Sequence, residues 1–167
     1  MMAASGRDRV GRCAGRSVVD GSQDAFTAEE ICDQARGNVG ALSLLLLAYA
    51  RDRDHPLDEA ARFGGRVFAP GWDELPARDA LTAVRWAALN MVSGGSELRH
   101  LEGDARRATA VVGRWPTDEE LAFFGLSQQE ADLIYELFSP IAERLGLAFT
   151  WRRDGDDVTM IFTVADQ

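Results

Sequence analysis

The stretch Ser127–Val164 constrains the fold most, because it reads without interruption as helix, strand, tight turn and strand. Ser127-Gln128-Gln129-Glu130 is a capping box, in which the Ser127 hydroxyl accepts from the Glu130 amide and the Glu130 carboxylate reaches back to the Ser127 amide. Leu133, Ile134, Leu137, Phe138, Ile141, Ala142 and Leu145 then recur at helical spacing and make one apolar stripe. Gly146 stands where a left-handed C-terminal cap belongs. Pro140 lies inside the pattern and predicts a kink there, or a break after Glu136. Next, Leu147, Phe149 and Trp151 alternate with Ala148, Thr150 and Arg152, the period of a strand with one apolar face. Asp154-Gly155 predicts a hairpin turn. Val158, Met160, Phe162 and Val164 return, alternating with Thr159, Ile161 and Thr163. A lone hairpin is marginal in water, so the earlier chain must supply further strands.

Glu97–Glu102, a Gly103-Asp104 turn and Ala105–Arg114 supply them. On a strict two-residue period, Leu98 and His100 share one face of the first strand, and Ala108, Ala110 and Val112 share one face of the second. The remaining chain reads as helices. Thr27-Ala28-Glu29-Glu30 is another capping box and opens a helix towards Arg53, with Ile31, Ala35, Leu42, Leu45, Leu46 and Tyr49 as its expected inner face. Leu42–Ala50 is apolar on nearly every side but shorter than the roughly 20 residues that span a bilayer. It predicts a central buried helix, or a dimer contact. Leu57–Phe68 and Arg78–Val92 are further helices, the latter with Leu81, Val84, Ala88, Met91 and Val92 as its stripe. Asp118–Phe124 is a short helix capped by Thr117. Tyr135 and Glu136 fall off the main stripe of their helix, at its boundary.

The expected architecture is therefore α+β: N-terminal helices followed by a four-stranded antiparallel sheet of two hairpins, with one face packed by a long helix, Ser127–Leu145. Residues 1–24, rich in Gly, Ser, Arg and Asp, predict a disordered tail. Residues 25–167 predict one domain. Arg7, Arg9, Arg12 and Arg16 are followed by no apolar core, so they do not read as a secretion signal, and a cytoplasmic location is expected.

A net charge of −9 disfavours a phosphate backbone as partner, and neither nucleic acid nor membrane is expected. Every basic side chain among the 18 is Arg, which removes a lysine Schiff base, a lysine general base and a P-loop lysine. With abundant Ala and Gly, the composition resembles high-GC bacterial coding. Cys13, Cys32, His55 and His100 have no metal-ligand spacing, so reduced thiols and no metal site are expected. Asp154, Asp156 and Asp157 resemble half a calcium loop, but no bidentate Glu follows, and a hairpin turn explains them. The chain has no G-x-G-x-x-G, G-x-x-x-x-G-K-[ST], G-x-S-x-G, H-E-x-x-H or C-x-x-C motif, and no cofactor follows from it.

What remains is a set of isolated polar and aromatic residues. His100 is the best single candidate for chemistry, since an imidazole facing a cleft beside a carboxylate can act as acid or base near neutral pH. Glu97, Glu102 and Asp104 are its neighbours in sequence. Arg85 and Asn90 interrupt the third helix among apolar residues, and with Trp86 and His100 they are the expected lining of a pocket. The leading expectation is a small-molecule-binding or sensing domain that holds its ligand between the helices and the sheet. The layout resembles small bacterial ligand-binding domains at the level of fold alone. Alternatives are a homo-oligomeric or partner-binding interaction module built on Leu42–Tyr49, with a homodimer expected, and a small cytosolic hydrolase or isomerase using His100 with a carboxylate.

Overall fold

In a computed structural model that describes residues 26–165, the two expected hairpins join into one sheet. The expected tail over residues 1–24, with its arginines and Cys13, lies outside the described residues. The strands are β1 (Glu97–Gly103), β2 (Arg107–Gly113), β3 (Leu147–Asp154) and β4 (Asp157–Val164). Their order is β1-β2-β4-β3, and every neighbouring pair is antiparallel. The seam between the hairpins pairs Ala108 with Phe162, Ala110 with Met160 and Val112 with Val158, all buried. In the first turn, Asp104 Oδ1 accepts from the Arg106 amide at 2.8 Å and the Arg107 amide at 3.0 Å. In the second, Gly155 takes φ 58°, a value that favours glycine.

The helices are α1 (Ala28–Asp52), α2 (Leu57–Phe68), α3 (Ala80–Ser93), α4 (Asp118–Phe124), α5 (Gln128–Asp132) and α6 (Phe138–Leu145). Capping boxes are complete at Thr27/Glu30, Thr117/Glu120 and Ser127/Glu130. The segment expected as one long helix breaks: a 3-10 turn over Leu133–Leu137 separates α5 from α6. Pro140 then falls in the first turn of α6, where its missing N–H leaves no helical hydrogen bond unmade.

The sheet's cover is shared. α6 packs on β3, and the Phe138 ring lies 5.7 Å from that of Phe149 and 6.5 Å from that of Phe162. α3 packs across β1, β2 and β4. Its buried face is small, with Ala80, Ala83, Ala87 and Ala88 beside Val84 and Met91, and it lies on β2, where Ala108 and Ala110 are also buried. Leu81 and Val92 of the expected stripe are only half-buried.

α1 departs from its expected orientation. Ile31, Leu42, Leu45 and Tyr49 are 53%, 64%, 51% and 56% exposed, whereas Gly40, Leu44, Leu47, Ala48 and Ala50 are buried. The leucine run is apolar on both faces, so periodicity alone does not say which stripe meets the core. Gly40 decides it: a Cβ there would sit 2.5 Å from the Gly94 carbonyl oxygen, so the buried face is the one that lets α1 lie against the end of α3. Tyr135 also departs from expectation, being fully buried rather than at a boundary.

Candidate functional site

Two close approaches frame an apolar cleft. Gly40 seats α1 against Gly94 and Trp115, and Gly65 seats α2 against the 3-10 turn, where a Cβ would overlap the Leu137 carbonyl and come within 2.6 Å of Pro140 Cγ. Away from these contacts the helices diverge. The space between α1, α2, the end of α3, the 3-10 turn and α6 is a cleft of about 390 Å³. Leu46, Trp72, Met91, Trp115, Leu137 and Phe138 are among its walls. Its polar groups are few. Ser43 Oγ donates to the Val39 carbonyl at 3.0 Å, and Asn90 Nδ2 donates to the Trp86 carbonyl at 2.8 Å. Trp115 is 5% exposed, and its Nε1–H has no hydrogen-bond partner among the described residues. A buried donor left in that state costs about 1–3 kcal/mol.

A second, broader cleft of about 760 Å³ runs between α3 and β1, lined by Arg85, Trp86, Leu89, Val92, Leu98 and Leu101 among others. The four residues expected to share one pocket are therefore dispersed. Arg85 and Trp86 line the α3–β1 cleft, Asn90 lines the helical cleft, and His100 lines neither.

The displacement of His100 has a definite cause. Leu98 pairs with Val112 and His100 with Val111, so Arg99 is an extra residue, a β-bulge. A bulge reverses the side-chain parity beyond it. Leu98 and Leu101 both face α3, whereas His100 shares the outer face with Val111 and is exposed. There its Nε2 lies 3.2 Å from Glu102 Oε2, with the two side chains 53% and 70% exposed. The imidazole–carboxylate contact that the hydrolase reading asks for is thus present, but on the open face of the sheet.

The most organised polar group escaped the sequence reading. Arg153 on β3 reaches Asp132 at the end of α5 with two donors, each 2.6 Å from a carboxylate oxygen, and Gln128 Nε2 adds a third contact at 2.9 Å. Asp132 is buried. Burial opposes the charge on Arg153, but the hydrogen bond and charge of Asp132 outweigh it and raise the guanidinium above its usual value. Alongside, Glu136 accepts from Trp151 Nε1 at 2.9 Å and from Ser139 Oγ at 3.0 Å, and pairs with Arg62 at 2.8 Å. Burial pushes the Tyr135 hydroxyl well above its ordinary range, against the opposing charge of Arg153. These ties hold the 3-10 turn to β3 and α2, and so fix one wall of the helical cleft. No periodic pattern reveals them, because the partners lie 15 and 21 residues apart on different kinds of element.

Among the described residues, no group of three or more His, Cys, Asp or Glu side chains is placed to hold a metal ion. No described helix is long and apolar enough to cross a membrane. No protein-family model matches the chain, and no curated protein matches it.

Proposed function

We propose that this chain is a small-molecule-binding domain, and that the helical cleft between α1, α2 and α6 is its site. The observation that carries this reading is the cleft itself: about 390 Å³, walled almost wholly by apolar and aromatic side chains. Its volume lies within the span of small-ligand sites, whose usual form is an apolar pocket with few polar groups. Its few polar side chains, Ser43 and Asn90, are hydrogen-bonded to carbonyls of their own helices, which favours a compact apolar molecule. The site differs from the expected one in lying among the helices, with Phe138 between it and the sheet.

A medium-chain fatty acid such as decanoate is a suitable probe, with the uncharged alcohol of the same length beside it. At a concentration a hundred times Kd, binding should stabilise the chain by about 2.7 kcal/mol, which raises Tm by roughly 5–10 °C. Ser43→Phe, which fills the cleft from α1, should abolish the shift and keep the fold. No shift with either probe, or a shift that survives Ser43→Phe, would count against this site.

A further inference from the structure

We infer that α1 is the interface of an antiparallel homodimer, formed by the apolar stripe that the core leaves uncovered. The inference does not depend on what the cleft binds. Ile31, Ala35, Asn38, Leu42, Leu45 and Tyr49 are all exposed, and their spacing alternates four and three residues along a helix of 25. This is the 3.5-residue repeat of a coiled-coil seam. The core stripe, Gly40, Leu44, Leu47 and Ala48, lies on another face of the same helix, so a second helix can dock without disturbing the domain.

Two observations choose the occupant and its direction. The first is volume. An antiparallel copy with its two-fold axis level with Gly40 sets Ile31 against Tyr49 of the second copy, Ala35 against Leu45, and Asn38 against Leu42. Every seam position then has a partner, and the small and polar members each meet a leucine. A parallel pair would stack Ala35 on Ala35 and Asn38 on Asn38, leaving a gap and a polar layer. The second is charge. The first turn of α1 carries Glu29 and Glu30, with Asp33 just beyond, whereas its other end, Arg51-Asp52-Arg53-Asp54, carries no net charge, and Arg51 there is already paired with Asp52. Parallel packing brings carboxylates onto carboxylates. Antiparallel packing brings them instead to the neutral run around Arg53, which extends over the Tyr49 ring at 5.3 Å between Asp52 and Asp54, and it opposes the helix dipoles favourably. Val39 and Leu46 flank the seam and also line the helical cleft, so the second copy runs along the rim of that cleft.

Light scattering on the full chain at micromolar concentration should give twice the 18.3 kDa of one copy. Leu42→Glu with Leu45→Glu should halve that mass and leave the circular dichroism spectrum unchanged, since both side chains are exposed in the single copy. For direction, Cys13→Ser and Cys32→Ser provide the background. Mixed chains bearing Ala35→Cys and Leu45→Cys should cross-link on oxidation, and Ala35→Cys alone should not. A monomeric native chain, a dimer that survives the two glutamates, or efficient cross-linking of Ala35→Cys to itself would each overturn the inference.

Discussion

Asp132 and Arg153 meet as a planar fork, Nε on Oδ2 and Nη2 on Oδ1, each at 2.6 Å. The aspartate side chain is 6% exposed and the arginine 19%, so water screens the pair only weakly. The fork joins the helical break after α5 to the outer strand β3, the point at which the expected long helix divides.

Breaking one side of the fork should be costly. Arg153→Met leaves a buried, uncompensated carboxylate, and a loss of about 3 kcal/mol in unfolding free energy is expected. Asp132→Leu combined with Arg153→Met should recover much of it, because no lone charge remains. Urea denaturation measures both. Equal stability of the single and double variants would show that the charge left behind is not the cost.

The neighbouring glycines of α2 should separate cleanly. Gly65→Ala forces a Cβ into the Leu137 carbonyl, so it should lower stability by more than 2 kcal/mol, in the range of severe overpacking. At Gly64 the nearest atom to a Cβ is Leu46 Cδ2, 3.8 Å away. Gly64→Ala should therefore gain up to about 1 kcal/mol from helix propensity. Thermal unfolding of the two variants tests this, and a stable Gly65→Ala would contradict the close approach of α2 to the 3-10 turn.

Stability should fall on acidification. Glu30 and Glu130 are held below their ordinary value of 4.5 by the cap amides of Thr27 and Ser127. Asp73 is held below 3.8 by the hydrogen bond from Arg144, and Asp104 by the amides of Arg107 and Arg106. In each case the unfolded chain takes up its proton first. The contribution is thus complete above about pH 4.5 and is lost as pH falls through the lower folded-state values. At the alkaline end the order reverses at Tyr135, where burial keeps the proton on the folded chain after an unfolded tyrosine, near 10.0, has released it. Stability should fall again above that pH. A Tm that stays flat on acidification past pH 4.5 would contradict the acid limb.

The sheet was legible because its evidence is local: two-residue alternation from Leu147 to Val164, and turn residues at Asp104 and Gly155. That the two hairpins join edge to edge followed, since neither is stable alone, but the meeting of β2 with β4 is set by the structure. The orientation of α1 was not legible, because Leu42, Leu45 and Tyr49 and Leu44, Leu47 and Ala48 are equally good apolar stripes on one helix. The placement of His100 was missed for a different reason. A strict alternation from Leu98 assigns it inward, and Arg99, the inserted residue, carries no glycine or other mark of a bulge. The helical cleft was hidden because its walls come from segments distant in sequence; of the two glycines that frame it, Gly40 reads from sequence either as a break or as a seat for a closely approaching helix, and Gly65 only as a weak point in its helix.

The irregularity at Arg99 also bears on how the protein avoids aggregation. β1 is a border strand, and a border strand offers its unused amides and carbonyls to any passing chain. The inserted residue puts that row out of step between Leu98 and His100, so an incoming strand finds no continuous ladder to extend. The residue that turns the histidine outward thus also closes this flank to fibril-like growth.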